Sequence, residues 1–110
     1  MAQIHARPGD VIEVKPLGAT LAQHVTTALI KSAQLELVRI VLPAGKAMRE
    51  HRTRGEITVL CLEGLIEFST PGATHRLAAG QLVHLAGGEP HALLALSDAS
   101  ALLTICLAAA

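Results

Sequence analysis

Two histidines, His51 and His91, each stand inside a stretch framed by glycines. The first runs Gly45-Lys46-Ala47-Met48-Arg49-Glu50-His51-Arg52-Thr53-Arg54-Gly55-Glu56, followed by a hydrophobic run to Glu63-Gly64. The second runs Gly80-Gln81-Leu82-Val83-His84-Leu85-Ala86-Gly87-Gly88-Glu89-Pro90-His91. Lys46, Arg49, Arg52 and Arg54 crowd around His51. Such a cluster can gather an anion, a carboxylate or a phosphate, with Arg49, Arg52 and Arg54 as its contacts. The plainer account is a solvated loop, partly neutralised by Glu50 and Glu56. Cys61 and Cys106 lie in apolar runs with no cation or base beside them, which reads as buried, reduced, inert thiols. No nucleophile elbow, phosphate loop or dinucleotide fingerprint is present.

The elements that must position these residues are short. A chain of 110 residues is one domain with a single core. Turn signals recur at Pro8-Gly9-Asp10, Pro16-Leu17-Gly18, Pro43-Ala44-Gly45, Glu63-Gly64, Pro71-Gly72, Ala79-Gly80, Gly87-Gly88 and Ser97-Asp98. Between them lie apolar segments of strand length: Val11 to Val14, Leu35 to Leu42, Ile57 to Leu62, Leu65 to Ser69, Leu82 to Leu85, Ala92 to Leu96 and Leu102 to Leu107. Regular turns around short apolar runs predict an antiparallel sandwich or barrel. Leu35 to Leu42 and Ile57 to Leu62 are largely apolar on both alternating faces, so both faces should be covered, one of them by a second sheet or a second subunit. One segment competes with this pattern. From Ala19 to Leu42 there is no Gly or Pro, and Leu21, Val25, Leu29, Ser32 and Leu35 share one helical face. With Thr20 as its N-cap, a helix from about Thr20 to Ser32 rivals a strand.

Composition excludes several partners. The hydrophobic fraction is 51% and the charged fraction 16%, too few charges to coat the outside, so some apolar surface is expected to meet another subunit. Nine Lys and Arg balance nine Asp and Glu, which leaves no positive excess for nucleic acid. Phe68 is the single aromatic, so stacking platforms and aromatic cages are out, and any pocket must be aliphatic with a few polar groups. No apolar run approaches the roughly 20 residues of a membrane span, so no membrane partner is expected. The first residues lack a signal-peptide core, and the expected compartment is the cytoplasm.

Both glycine-framed stretches resemble the two signature motifs of the cupin family. In the first motif Gly45, the five-residue spacing and His51 match; Thr53 stands in place of the second histidine. Glu56 falls one position early relative to Gly64, with Ile57 where the family's acid is found. In the second motif Gly80, Gly88 and His91 match in register, while Ala86 replaces the proline and Ala95 the asparagine. The resemblance implies an all-β fold, an antiparallel double-stranded β-helix or jelly-roll barrel of about nine or ten strands, and a homodimer. Residues 1–34 would supply N-terminal strands and a dimer-type extension, and 35–107 the barrel, within one domain.

In metal-binding cupins the motif histidines and glutamate hold one divalent ion inside the barrel. Carried over to this chain, the resemblance implies His51 and His91 as metal ligands, with Glu56 as the carboxylate if the backbone at Gly55 lets it swing inward. That set suits Fe, Ni, Mn or Zn. His84 is a substitute ligand or, as a single histidine in an apolar run, a structural residue. The alternative is that two inward imidazoles bond to each other, to a carbonyl or to water, with no metal at all. The expected function is therefore a small, anionic molecule bound in an aliphatic barrel pocket lined by His51, Thr53, Glu56 and His91. The second expectation is a metal-dependent dioxygenase, isomerase or decarboxylase acting on a small organic acid, and the third an interaction module with a vestigial pocket.

Overall fold

A computed structural model describes residues 5–107. Among the described residues nine strands are present: β1 (Thr27–Lys31), β2 (Leu35–Leu42), β3 (Ala47–His51), β4 (Ile57–Glu63), β5 (Leu65–Thr70), β6 (Ala73–Ala78), β7 (Leu82–Leu85), β8 (His91–Ala95) and β9 (Ala99–Cys106). They form a five-stranded sheet in the order β1-β2-β9-β4-β7 and a four-stranded sheet in the order β3-β8-β5-β6. Every pairing is antiparallel. The double-sheet jelly roll implied by the motifs is the fold observed.

The core lies between the sheets and follows from strand alternation. In β4 the side chains of Ile57, Val59 and Cys61 are buried, whereas Thr58, Leu60 and Leu62 are half-buried on the other face. Ile40, Leu42, Ala101 and Leu103 continue the inner face across β2 and β9. Ile66, Phe68, Leu93 and Ala95 close it from the opposite sheet. The second face of β2 is covered as its apolar pattern requires, but by the chain's own N-terminal segment. Val41 N donates to Thr26 Oγ1 at 3.0 Å, and Arg39 Nη2 donates to the Glu13 carbonyl at 3.2 Å.

Two expectations need correction. The helix from Thr20 to Ser32 is replaced by a 3-10 turn over Gly18–Gln23 and the strand β1. Leu21 alone of the proposed helical face is fully buried, while Val25 is 73% exposed. Hydrogen bonding to β2 satisfies the β1 backbone better than a short helix would, since isolated helices of this length are marginal. Val11 to Val14 is not a strand either; Val11 is 96% exposed and no strand pairs with it.

A half-buried acid ties the N-terminal segment down. Glu63, at the end of β4, accepts the amides of Leu17 at 2.8 Å and Gly18 at 2.9 Å, and the Ser100 hydroxyl. Burial pushes the Glu63 carboxyl up, but the bonds from Ser100, Leu17 and Gly18, with the Arg39 charge, outweigh it and hold it below the ordinary value.

Gly55 marks where β4 leaves the motif loop and passes the end of β9. A Cβ on Gly55 would overlap the Cys106 carbonyl, which is backbone and cannot rotate away. We expect Gly55→Ala to lower the melting temperature by at least ~10 °C or to prevent folding, against a shift near zero if the two strands can separate freely. Thermal denaturation followed by circular dichroism reads the difference.

Candidate functional site

His51 ends β3 and His91 begins β8, and the two residues are direct cross-strand partners. The register slips between Met48 and His51, an irregularity that turns the last residue of β3 toward its neighbour. The ring centroids lie 4.3 Å apart with the planes tilted by 58°. On its other side His91 stacks on Phe68, at 5.9 Å and 11°. His91 is 1% exposed, whereas His51 is half-buried.

Both histidines are held the same way. His51 Nδ1 lies 3.2 Å from the Arg49 carbonyl, and His91 Nδ1 lies 3.1 Å from the Glu89 carbonyl. A carbonyl only accepts, so each Nδ1 carries the proton and each neutral ring keeps its lone pair on Nε2. The tautomer is thus assigned from the hydrogen-bond partners. His91 Nε2 is buried and has no partner among the described residues. Burial pushes the His91 imidazole below its ordinary value of 6.5; the Glu89 bond opposes this, and the neighbouring His51 adds to it.

The remaining expected site residues go elsewhere. Thr53 donates its hydroxyl to the Gly55 carbonyl at 3.0 Å, and its own carbonyl accepts Gly88 N at 2.7 Å, so it joins the two motif loops. Glu56 does not reach the histidine pair. Its Oε1 lies 2.8 Å from His84 Nε2, with both side chains exposed. Strand parity explains this: Ile57 occupies the inward position at 3% exposure, so its neighbour projects outward. The backbone cannot swing, because Gly55 packs on Cys106 and Cys106 N donates to the Glu56 carbonyl at 3.0 Å. His84 is therefore the outward partner of Glu56, away from His51 and His91. Arg49, Arg52 and Arg54 are all exposed beside His51.

Among the described residues, no group of three His, Cys, Asp or Glu side chains could hold a metal ion. The donors present at the pair are two imidazole nitrogens, with Glu56 turned away and the Thr53 hydroxyl committed. A resident divalent ion held by the protein alone does not fit this set. Cys61 is buried, and burial raises its thiol above the ordinary range, as expected for an inert core cysteine. Cys106 is half-buried rather than fully enclosed. In the sequence the Glu63 cluster is marked only by a charge in an apolar run, Arg39 in β2.

Surface clefts lie apart from the pair. One of about 440 Å³ runs between the N-terminal segment and β1–β2, and another of about 250 Å³ surrounds Glu56, His84 and Cys106. No helix among the described residues is long and apolar enough to cross a membrane.

The cupin domain family model matches residues 38–107, from β2 to the end of β9. No curated protein matches the chain. Among solved structures, a conserved protein of unknown function from Streptococcus pyogenes is similar over 100% of both chains, at 25% identity and a TM-score of 0.76. An RmlC-like cupin with a double-stranded β-helix fold from Methanocaldococcus jannaschii aligns over 89% of this chain and 93% of its own, at 15% identity and a TM-score of 0.73, and speaks to fold alone. The DMSP lyase DddQ of Ruegeria pomeroyi is 27% identical, with a TM-score of 0.69, over 84% of this chain and 51% of the lyase. Two motifs in order, a jelly roll of nine strands and a family match over most of the barrel agree: this chain belongs to the cupin family.

Proposed function

We propose that this cupin binds a small molecule at the His51–His91 pair, which offers two imidazole lone pairs to a ligand that donates hydrogen bonds. The carrying observation is His91 Nε2, a buried nitrogen without a partner. Leaving such an acceptor unpaired costs about 1–3 kcal/mol, and a ligand O–H or N–H removes that cost. The exposed arginines beside His51 favour an anionic ligand that keeps one protonated donor, such as a hydroxy acid. His51 is the more exposed of the two rings, so the ligand meets His51 first.

A thermal-shift screen of organic acids and alcohols on untagged protein tests this. At about 100 times its dissociation constant a ligand adds roughly 2.7 kcal/mol of stability. That shift should vanish in both His51→Ala and His91→Leu. A screen in which every hit survives both substitutions rejects the pair as the site.

A metal-dependent enzyme acting on a small organic acid is the second reading. One observation favours it: both histidines present the same lone-pair nitrogen, Nε2, as ligands would. The similarity to a DMSP lyase concerns about half of that protein. Elemental analysis of untagged protein separates the readings. About one Fe, Ni, Mn or Zn per chain, lost in both histidine variants, would install the enzyme reading and displace ours.

The proposal includes a cytoplasmic homodimer. Leu35, Leu60, Leu82 and Leu102 lie on the outer face of the five-stranded sheet, and Leu82 is 59% exposed. Light scattering at micromolar concentration should give the dimer mass, and a monomer mass contradicts it.

A further inference from the structure

Arg39 is a buried cation with too few partners. It stands on the outer face of β2 at 9% exposure, covered by the N-terminal segment. A guanidinium carries five N–H donors, and among the described residues one hydrogen bond is made, from Nη2 to the Glu13 carbonyl. No carboxylate of the described residues is in ion-pair contact with it. Glu63 feels the Arg39 charge only through space, its own oxygens being taken by Ser100, Leu17 and Gly18. A charge this deep is ordinarily paired, because removing it from water is costly.

The groove beside it is of ligand size, about 440 Å³, and is lined by Arg39, Lys15, Thr27, Val25 and Leu29 among others. At its rim Lys15 and Glu13 approach to 3.9 Å and largely cancel, which leaves Arg39, with Glu63 acting on it only through space, as the charge of the cleft without an ion-pair contact. The apolar part of the wall is Val25, 73% exposed, and Leu29, half-buried. A hydroxyl is available on Thr27, although it donates to the Val25 carbonyl at 2.8 Å and so can only accept. Thus one end of the cleft asks for an anion and the other for an aliphatic body.

We propose that this cleft is a second ligand site, outside the barrel, for a small aliphatic carboxylate. Its carboxylate pairs with the free N–H groups of Arg39, and its chain lies along Val25 and Leu29. The site is independent of the histidine pair and does not rest on the function proposed for it.

Hexanoate is the probe, with 1-hexanol and hexylammonium as controls of similar size. Methyl and arginine side-chain NMR on the full chain is the readout. Hexanoate should give saturable shifts at Val25, Thr27, Leu29 and the Arg39 Nε–H, undiminished in His91→Leu. Affinity should fall tenfold or more for both controls and for hexanoate on Arg39→Met, which keeps the aliphatic stem and removes the charge. The wild-type comparison of hexanoate with hexanol stands alone should Arg39→Met fail to fold. Equal binding of acid and alcohol, shifts centred on His51 and His91, or no saturable shift would each overturn the proposal. So would shifts of the same residues on simple dilution, which would assign the cleft to a second copy of the chain.

Discussion

Phe68→Ala is expected to lower stability by about 3–5 kcal/mol, a fall of at least ~12 °C in melting temperature. Phe68 is the only aromatic of the chain and is 0% exposed. The core cluster it belongs to includes Ala95, Ala99 and Ala101, side chains too short to collapse into the space a phenyl ring leaves. The gap would therefore persist as a cavity and add its own cost to the lost burial. The same substitution removes the surface on which His91 stacks, so the site should loosen as the core does. Urea denaturation measures the effect, and a loss under about 1 kcal/mol would show that the two sheets close over the vacancy.

His91→Leu should behave in the opposite way. Leucine is of similar bulk and leaves no buried nitrogen without a partner, so stability at neutral pH should hold or rise. The carbonyl of Glu89 loses its donor, but Glu89 is exposed and water replaces the bond. Ligand binding at the histidine pair should be lost entirely. The pH dependence gives an independent sign. Burial depresses the folded-state pKa of His91, so below about 6.5 the unfolded chain takes up the proton first. Wild-type stability should therefore fall as pH drops below that value, until the folded-state imidazole is also protonated. His91→Leu should lack that part of the slope. The Glu63 carboxyl acts in a separate window, below its ordinary value of 4.5, and both proteins keep it. Paired melting curves from about pH 5 to 7.5 read the contrast. A variant destabilised by more than about 2 kcal/mol at pH 7 would mark the imidazole as a structural group instead.

Much of the barrel is legible in the apolar runs, because strands that line a core repeat with period two. β2, β4, β5 and β7 fall where Leu35, Ile57, Leu65 and Leu82 open such runs. β3 and β6 carry no such signal. In Ala47–His51 only Met48 and His51 are half-buried, and in Ala73–Ala78 only Leu77 is buried. Both are edge strands of the smaller sheet, where hydrogen bonding to one neighbour substitutes for a buried face. The spacing of Leu21, Val25 and Leu29 imitates a helix, yet the available edge of β2 turns the second half of that segment into β1.

The glycine-framed spacing singles out His51 and His91, which the structure makes cross-strand partners, each at the end of a strand beside a motif loop. The position of Glu56 depends on strand parity, and a shift of one residue sends a side chain to the other face. Ile57 in the inward place was the visible sign of this. The partners of Arg39 and Glu63 are set by where the N-terminal segment crosses the sheet, a contact between residues 26 and 46 positions apart. Periodicity carries no information about contacts of that range.

The most direct measurement is a long-range 15N–1H spectrum of the histidine rings of untagged protein, recorded through a pH titration. His91 should show a protonated Nδ1 and a bare Nε2 at pH 7 and should remain neutral below 6.5. A His91 that carries its proton on Nε2, or that titrates at or above 6.5, would contradict a buried lone pair held ready for a ligand.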